Sequence, residues 1–191
     1  MVRDELGAVR RVRVSLRVPL PRLSDIRCSY ELASGATMDV GYYTPHLARL
    51  LGGEQPQVVS ARVQTLRSRP LIDRVMRAEL VFHGRAEVRV SLWGWPPPSI
   101  AACVTGERGE LSVLNFLAPH VYHRLKVRGP EDIRVERIGG RPPDTSQLRA
   151  FHAAVTRGAP VLTGAQDAVV TMGLIDDIYR VAGLPPRGNG D

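Results

Sequence analysis

The sequence predicts an α+β domain: an open, largely antiparallel β-sheet with one helix before its long run of strands and two C-terminal helices. Segments in which apolar and polar residues alternate dominate positions 8–138, and the apolar period becomes helical over 146–183. Strands and helices do not alternate as in a doubly wound sheet, so no Rossmann domain is predicted in these 191 residues. We expect a single domain over 1–186 and a tail at 187–191.

The first strand has the clearest alternation. Its apolar members are Val12, Val14, Leu16 and Val18, its polar members are Arg11, Arg13, Ser15 and Arg17, and Pro19 and Pro21 follow. This pattern predicts a strand with one buried face. A helix is then predicted from Met38 to Leu51, ended by Gly52 and Gly53. Pro45 should lie in its first turns or mark a kink.

The remaining strands follow this helix. They are predicted at 57–66, 75–82, 86–92, 99–105, 110–114, 121–127 and 133–138. Two hairpins are expected, one closed around His83-Gly84 and one across 106–109. The stiff connection at 93–98 carries Trp93 and Trp95 on one face, where they would line a ligand pocket or a subunit contact, and we favour the contact.

Two helices end the predicted fold. The first carries Leu148, Phe151 and Val155 on one face and ends at Gly158 and Pro160. The second carries Met172, Ile175, Tyr179 and Ala182 and ends at Gly183, before Pro185 and Pro186. So few helices cannot cover both faces of so many strands, and one apolar sheet face should meet another protein surface. We therefore predict a homodimer or a higher oligomer.

Composition excludes several functions. The net charge is +7, but the arginines are scattered, Lys126 is the only lysine, and three Phe and two Trp offer little stacking surface, so nucleic-acid binding is not expected. No apolar run reaches the roughly 20 residues of a membrane span, and no signal peptide is evident, which predicts a cytoplasmic protein. Cys28 and Cys103 are interpreted as buried thiols. His120 and His123 are three residues apart, so in a strand their side chains point to opposite faces of the sheet. No metal site is therefore predicted.

Three segments carry a family resemblance. They are GATMDVGYYTPH at 35–46, VTGERGEL at 104–111, and a stretch from Gln147 through 158–160 to TGAQDA at 163–168. In this order they resemble the "DxGxHxxD" helix start, the "GTxGTL" hairpin and the "ELRAFxxAIRxGxPxxTGxxDA" ending of the C-terminal domain of Gfo/Idh/MocA oxidoreductases. The resemblance covers about residues 7–186.

The resemblance implies the substrate-binding and oligomerisation part of an NAD(P)-dependent oxidoreductase that acts on a sugar, a polyol or a similar hydroxyl or carbonyl compound. Family members hold NAD or NADP in an N-terminal Rossmann domain that ends in a lysine-bearing E-K-P motif. This sequence has no E-K-P and no G-x-G-x-x-G between a strand and a helix, and Lys126 lies in a predicted strand. We expect the Rossmann half on a separate chain or upstream of a misassigned start. The alternative is a non-catalytic binding or assembly module.

The resemblance also implies site residues. Asp39 matches the motif aspartate, Tyr43 a position held by His or Tyr, and His46 the place of a second aspartate. Tyr43 would exchange the proton of the substrate hydroxyl or carbonyl. Asp39 would orient the partner in that transfer or help the proton relay, and His46 would be the third residue of the site. Gly41 would allow close approach of the cofactor. Structural alternatives stay open: Asp39 as a helix N-cap, Tyr43 as a core aromatic, His46 as a surface residue and Gly41 as a backbone spacer.

Overall fold

A computed structural model describes residues 5–19, 25–53, 55–91, 98–137, 142–161 and 163–188. Within these ranges the strands are β1 Val9–Arg17, β2 Gln57–Leu66, β3 Arg69–Val81, β4 Arg85–Ser91, β5 Ser99–Gly106, β6 Glu110–Leu114, β7 Arg124–Arg128 and β8 Ile133–Glu136. The α-helices are α1 Tyr43–Gly52, α2 Pro143–Arg157 and α3 Ala165–Val181. A 3-10 turn, Ile26–Cys28, and a π-helical turn, Thr37–Gly41, precede α1.

β1 lies in the middle of the sheet, between two antiparallel runs of strands. The order is β2-β3-β4-β1-β5-β6-β7-β8. β1 runs parallel to β4, with Val14 opposite Val88, and antiparallel to β5, with Val14 opposite Ala102. The other neighbours pair antiparallel. The predicted α+β class, the largely antiparallel sheet and both predicted hairpins are confirmed.

The core lies on one face of the sheet. Alternation in β1 buries Val12, Val14 and Leu16, and the same alternation in β4 buries Ala86, Val88 and Val90. α1 lies over β1 and β4, and α3 lies over β2. The face of α3 that meets the core carries Leu174, Ile175, Ile178 and Tyr179. Full burial of side chains of this size contributes about 1.5–3 kcal/mol each, so this face holds the sheet and the helices together.

The helix predicted from Met38 to Leu51 forms in two pieces. A π-helical turn spans Thr37–Gly41 and α1 follows, with Pro45 as its third residue. Proline has no backbone N–H, so it cannot donate to the carbonyl of Gly41 one turn earlier. The Thr44 hydroxyl donates to that carbonyl instead, at 2.8 Å. The proline is thereby tolerated at the junction of the two pieces. Gly53 ends α1 in the left-handed conformation, as the Gly52-Gly53 pair predicts.

The C-terminal part of the sheet and α2 differ from the prediction in detail. β7 begins only at Arg124, because the Asn115 side chain holds the preceding segment in a turn by donating to the carbonyls of Ala118 and Tyr122. α2 forms as predicted, yet none of its residues is buried, and its apolar stripe of Leu148, Phe151 and Val155 stays exposed. Among the helices that the structure describes, none combines the length and the apolar character needed to cross a membrane.

The sheet face opposite the helices is charged. Its outward positions include Arg13 and Arg17 on β1, Arg77 on β3, Arg89 on β4 and Lys126 on β7. The expectation that the uncovered face is apolar is wrong, because the alternation of these strands directs their apolar residues to the helix side and their arginines outward. Self-association of the chain stays a prediction. It can no longer be argued from an exposed apolar surface, because this face of the sheet is charged.

A buried carboxylate at Asp73 joins three distant parts of the chain. One of its oxygens accepts hydrogen bonds from the Thr37 amide at 2.8 Å and the Thr37 hydroxyl at 2.7 Å. The other oxygen accepts from the Tyr179 hydroxyl at 2.9 Å and from Arg187 at 3.2 Å. Burial raises the pKa of Tyr179, and the Asp73 charge raises it further, so the phenol stays protonated and donates. The Asp73 carboxylate of β3 therefore holds together the start of the π-helical turn and the C-terminal segment.

Arg187 is part of this buried node rather than part of a tail. Its side chain is fully buried, donates to the backbone carbonyls of Ser34 and Leu71, and lies over the Tyr30 and Tyr179 rings. The boundary predicted at 186 therefore falls one residue too early, because the ion pair with Asp73 draws this arginine into the fold.

Replacing Asp73 should test whether the node is a structural requirement. Asp73→Asn keeps the size of the side chain and leaves the Arg187 guanidinium buried without a counter-charge. Breaking a buried ion pair from one side costs about 3–5 kcal/mol. We expect a loss of that size in the free energy of unfolding, measured by denaturant titration.

Asp177→Asn is the matched control. It removes a carboxylate from an exposed ion pair with Arg180, and exposed pairs contribute about 0–1 kcal/mol. Equal losses in the free energy of unfolding for the two variants would show that the buried Asp73 carboxylate stabilises the fold no more than an exposed one.

Candidate functional site

The predicted site residues all lie on the π-helical turn and the first turn of α1. This segment begins where Asp73 binds the Thr37 amide, and it packs its buried side on β4. Asp39 lies within the π-helical turn, Tyr43 is the first residue of α1, and His46 follows three residues later.

Asp39 forms a surface ion pair rather than a cap. The residues that flank the π-helical turn and α1, Ala36 and Tyr42, are helical and make no side-chain cap, so the N-cap alternative for Asp39 is not what the structure has. One oxygen of the Asp39 carboxylate lies 2.7 Å from Nε of Arg27, and the carboxylate is 28% exposed. Arg27 also bonds the Asp25 carboxylate at 3.2 Å. A half-buried carboxylate with a paired guanidinium is therefore present at the site.

Tyr43 is exposed and its hydroxyl is available. The residue is 44% exposed, so it is not a core aromatic. Its ring meets the Tyr42 ring edge to face, with 5.8 Å between centroids. Among the described residues the Tyr43 hydroxyl has no hydrogen-bond partner. A phenol in this position can donate a hydrogen bond to a bound molecule or accept one from it.

His46 lies inward of the two tyrosines. Its ring stacks on Tyr42 with 6.0 Å between centroids, and its Nδ1 lies 3.4 Å from the Asp167 carboxylate on α3. Burial lowers the pKa of His46, and the positive charge of Arg49 lowers it further. Asp167 would favour the charged ring, but Arg49 already engages that carboxylate. His46 is therefore a neutral, half-buried residue at neutral pH and not a surface residue.

An ion pair that we did not predict connects the site helix to α3. Arg49 pairs with Asp167 and donates to the Thr171 hydroxyl at 3.3 Å. Two signals in the sequence could have revealed it. His46 and Arg49 are three residues apart and so share one helix face, and Asp167 belongs to the third family-like motif. The sequence gave no comparable signal for Arg27, because this residue belongs to a separate 3-10 turn and its contact with Asp39 depends on how the chain folds.

Gly41 has a packing role in this structure. A Cβ atom at this position would lie 3.0 Å from the Ala36 carbonyl oxygen and 3.1 Å from the Val90 side chain. The space beside Gly41 is therefore filled by the protein itself. In the described part of the chain, no glycine-rich turn leads from a strand into a helix, which is the arrangement that holds a dinucleotide pyrophosphate in a Rossmann domain. Trp93 and Trp95 lie outside the described residues.

The lowered pKa of His46 predicts a pH dependence of stability. Unfolding restores the ordinary pKa of about 6.5, so below that value the unfolded chain binds more protons than the folded one. The free energy of unfolding should then fall as the pH drops from about 7 to 5. His46→Gln should remove that part of the slope in denaturant titrations at several pH values. His152→Gln, on an exposed face of α2, is the control. If it flattens the slope as much as His46→Gln does, the assignment to His46 fails.

Comparison with known proteins agrees with this architecture. Residues 1–112 match the family model of the GFO/IDH/MocA C-terminal domain. The chain is 29% identical over 185 residues to D-xylose 1-dehydrogenase (NADP(+)) 2 of Haloferax volcanii, covering 95% of this chain and 56% of that protein. It is 27% identical over 164 residues to dTDP-3,4-didehydro-2,6-dideoxy-alpha-D-glucose 3-reductase of Streptomyces violaceoruber, covering 80% and 45%. The chain thus spans about half the length of these relatives.

Solved structures share the fold. Aldose-aldose oxidoreductase from Caulobacter crescentus, complexed with glycerol, superposes with a TM-score of 0.85 at 23% identity, covering 95% of this chain and 56% of that one. A 3-ketoreductase from Actinomadura kijaniata, with NADP and TDP-benzene, gives 0.81 at 21% identity, covering 94% and 56%. Since the family model matches more than half of the chain, this protein belongs to the GFO/IDH/MocA family through its C-terminal domain.

Proposed function

We propose that this chain is the substrate-binding part of an NAD(P)-dependent oxidoreductase that interconverts a hydroxyl and a carbonyl group on a sugar or polyol. The dinucleotide would be bound by a Rossmann-type half outside these residues, on a separate chain or in sequence upstream. The observation that carries the proposal is the exposed side chain of Tyr43, whose hydroxyl has no hydrogen-bond partner among the described residues, four residues after the Asp39 carboxylate that pairs with Arg27.

The proposed chemistry divides between the two halves. When bound, the nicotinamide ring accepts or supplies the hydride. In the oxidative direction the Tyr43 oxygen takes the proton of the substrate hydroxyl as the carbon loses its hydride, and in the reductive direction it returns that proton to the new alkoxide. Asp39, held by Arg27, orients the substrate or the proton partner at the rim of the site.

Tyr43 needs help to act as a base near neutral pH. An ordinary phenol has a pKa near 10, and a nearby cation favours its deprotonated form. Arg27 is engaged by two carboxylates, so it is poorly suited to that task. The family resemblance supplies the cation as the lysine of an E-K-P motif in the Rossmann half. The site would therefore become catalytic only when the two halves meet.

The relatives support the substrate class. The two curated relatives are named for sugar dehydrogenation and for reduction of a nucleotide-linked sugar, and the first name specifies NADP(+). The Caulobacter structure is named as an aldose-aldose oxidoreductase. These names describe those proteins. A binding or assembly module without chemistry is the alternative that the experiments below separate.

The isolated chain should not bind NAD(H) or NADP(H) usefully, because no phosphate-binding glycine turn occurs between a strand and a helix in its sequence. Isothermal titration calorimetry tests this. Heats that fit micromolar binding would contradict the division of labour proposed here.

Tyr43→Phe should abolish most of the activity once a Rossmann half is supplied. We would fuse the Rossmann half of a relative ahead of Val2 and measure steady-state turnover of xylose and other sugars. Loss of a positioned proton-transfer group typically lowers the rate by about 10²–10⁴-fold. We expect that loss in kcat for Tyr43→Phe, and a smaller loss for Asp39→Asn.

Tyr42→Phe is the matched control, since it deletes the hydroxyl of the neighbouring ring and keeps the stacking on His46. It should retain the parent rate. An active fusion in which Tyr43→Phe and Asp39→Asn also retain the parent rate would refute the site assignment. A fusion that folds and binds NADPH but turns over no sugar would favour the non-catalytic module.

A further inference from the structure

Helix α2 presents an apolar stripe, formed by Leu148, Phe151 and Val155, that the described part of the chain leaves uncovered. These residues follow one another at intervals of three and four, so they lie on one side of the helix. Their exposed fractions are 67%, 66% and 69%. None of the residues of α2 is buried, whereas α1 and α3 both bury residues against the sheet. α2 is therefore the one described α-helix whose apolar side meets solvent.

A helix of this kind needs a surface to pack on. α2 has 15 residues, and isolated helices of about 12–15 residues are only marginally stable in water. In proteins most of the stability of a helix comes from packing its apolar side against other elements. The residue before α2, Pro142, makes no side-chain cap that could compensate. The stripe therefore indicates a contact with a surface outside the described residues.

The C-terminal end of α2 is connected to the candidate site by a short piece of chain. The segment 158–164 joins α2 to α3, and the first turn of α3 carries Asp167. The Asp167 carboxylate pairs with Arg49 of α1 and lies 3.4 Å from Nδ1 of His46. His46 follows Tyr43 by three residues in the same helix. A cofactor half that brings nicotinamide to Tyr43 would therefore come close to this end of α2.

We propose that the apolar stripe of α2 binds the Rossmann-type half that carries the cofactor. The inference rests on the proposed function, from which it takes that half. The matched regions make up 56% and 45% of the two curated relatives, so each relative has about as much additional chain. Interfaces that stay closed are more apolar than transient ones, which suits two halves of one enzyme. The surface that meets α2 should be apolar opposite the stripe, with carboxylates placed to pair with Arg149.

A second copy of the chain fits the stripe less well. A standard interface buries about 800 Å² on each partner, and three side chains of one helix offer only part of that area. Arg149, His152 and Arg157 line a depression beside Leu148, so two copies of α2 would bring basic side chains together. A cofactor half that also contacts the domain around Tyr43 needs only part of its interface from α2.

Hydrogen–deuterium exchange of the α2 amides tests the proposal without measuring turnover. It compares the isolated chain with the fusion described above, in which the Rossmann half of a relative precedes Val2, in the presence of NADPH. In the isolated chain the amides of 143–157 should exchange nearly as fast as in an unfolded peptide, because no buried contact holds the helix. In the fusion they should exchange at least about tenfold more slowly, since burial of one side chain as large as Leu148 suffices for that factor.

Two double variants of the same helix separate the stripe from helix propensity. Leu148→Ser with Phe151→Ser removes the stripe. Ala150→Ser with Ala153→Ser is the matched control, because it puts two serines on another side of α2 and lowers helix propensity at least as much. We expect the stripe variant to restore fast exchange in the fusion, and the control to keep most of the protection. Neither should shift the melting temperature of the isolated chain by more than about 4 °C, since exposed substitutions change stability little.

The outcomes distinguish this inference from the proposed function. Slow exchange of α2 in a fusion that turns over no sugar would support the contact and contradict the proposed chemistry. Fast exchange of α2 in a fusion that binds NADPH would overturn the inference, with or without turnover. Equal loss of protection in both double variants would also overturn it. Slow exchange already present in the isolated chain, together with a dimer in sedimentation equilibrium, would assign the stripe to a second copy of the chain.

Discussion

The buried contact between Asp73 and Arg187 is the constraint on which the rest of the structure depends. An ion pair without access to water is stable only when its remaining donors and acceptors are satisfied, and here Thr37, Tyr179 and backbone carbonyls satisfy them. The bond to Thr37 fixes the start of the π-helical turn, and thus the positions from which Asp39 and Tyr43 extend. The buried Asp73 carboxylate therefore positions the candidate site, although it takes no part in the proposed proton transfer.

The architecture could be predicted from the sequence because it follows from periodicity. Valine and leucine at every second position of β1, and the turn residues between β3 and β4, suffice to place those strands and their buried face. Periodicity could not show that Arg187 is buried, because an arginine after two prolines near the end of a chain has the composition of a tail. Nor could it place β1 between β4 and β5, which depends on contacts between residues far apart in sequence.

The site could be predicted only where a motif marked it. The motif identified Asp39 and Tyr43, and the structure accounts for both as accessible side chains. The partners Arg27, Arg49 and Asp167 come from other elements, so their roles appear only in three dimensions. The uncovered face shows the same limit. The strand count predicted an open face, while only the register shows that arginines of neighbouring strands lie directly opposite one another on it.

The central claim is that this chain recognises a sugar or polyol at the start of α1, and amide NMR of the labelled chain tests it directly. Titration with D-xylose or glycerol should shift the amides of the Thr37–Gly41 turn and of Tyr43 in a saturable way, and leave the amides of β6, β7 and β8 unmoved. Saturable shifts confined to another surface, or no shift with any sugar or polyol, would contradict the account.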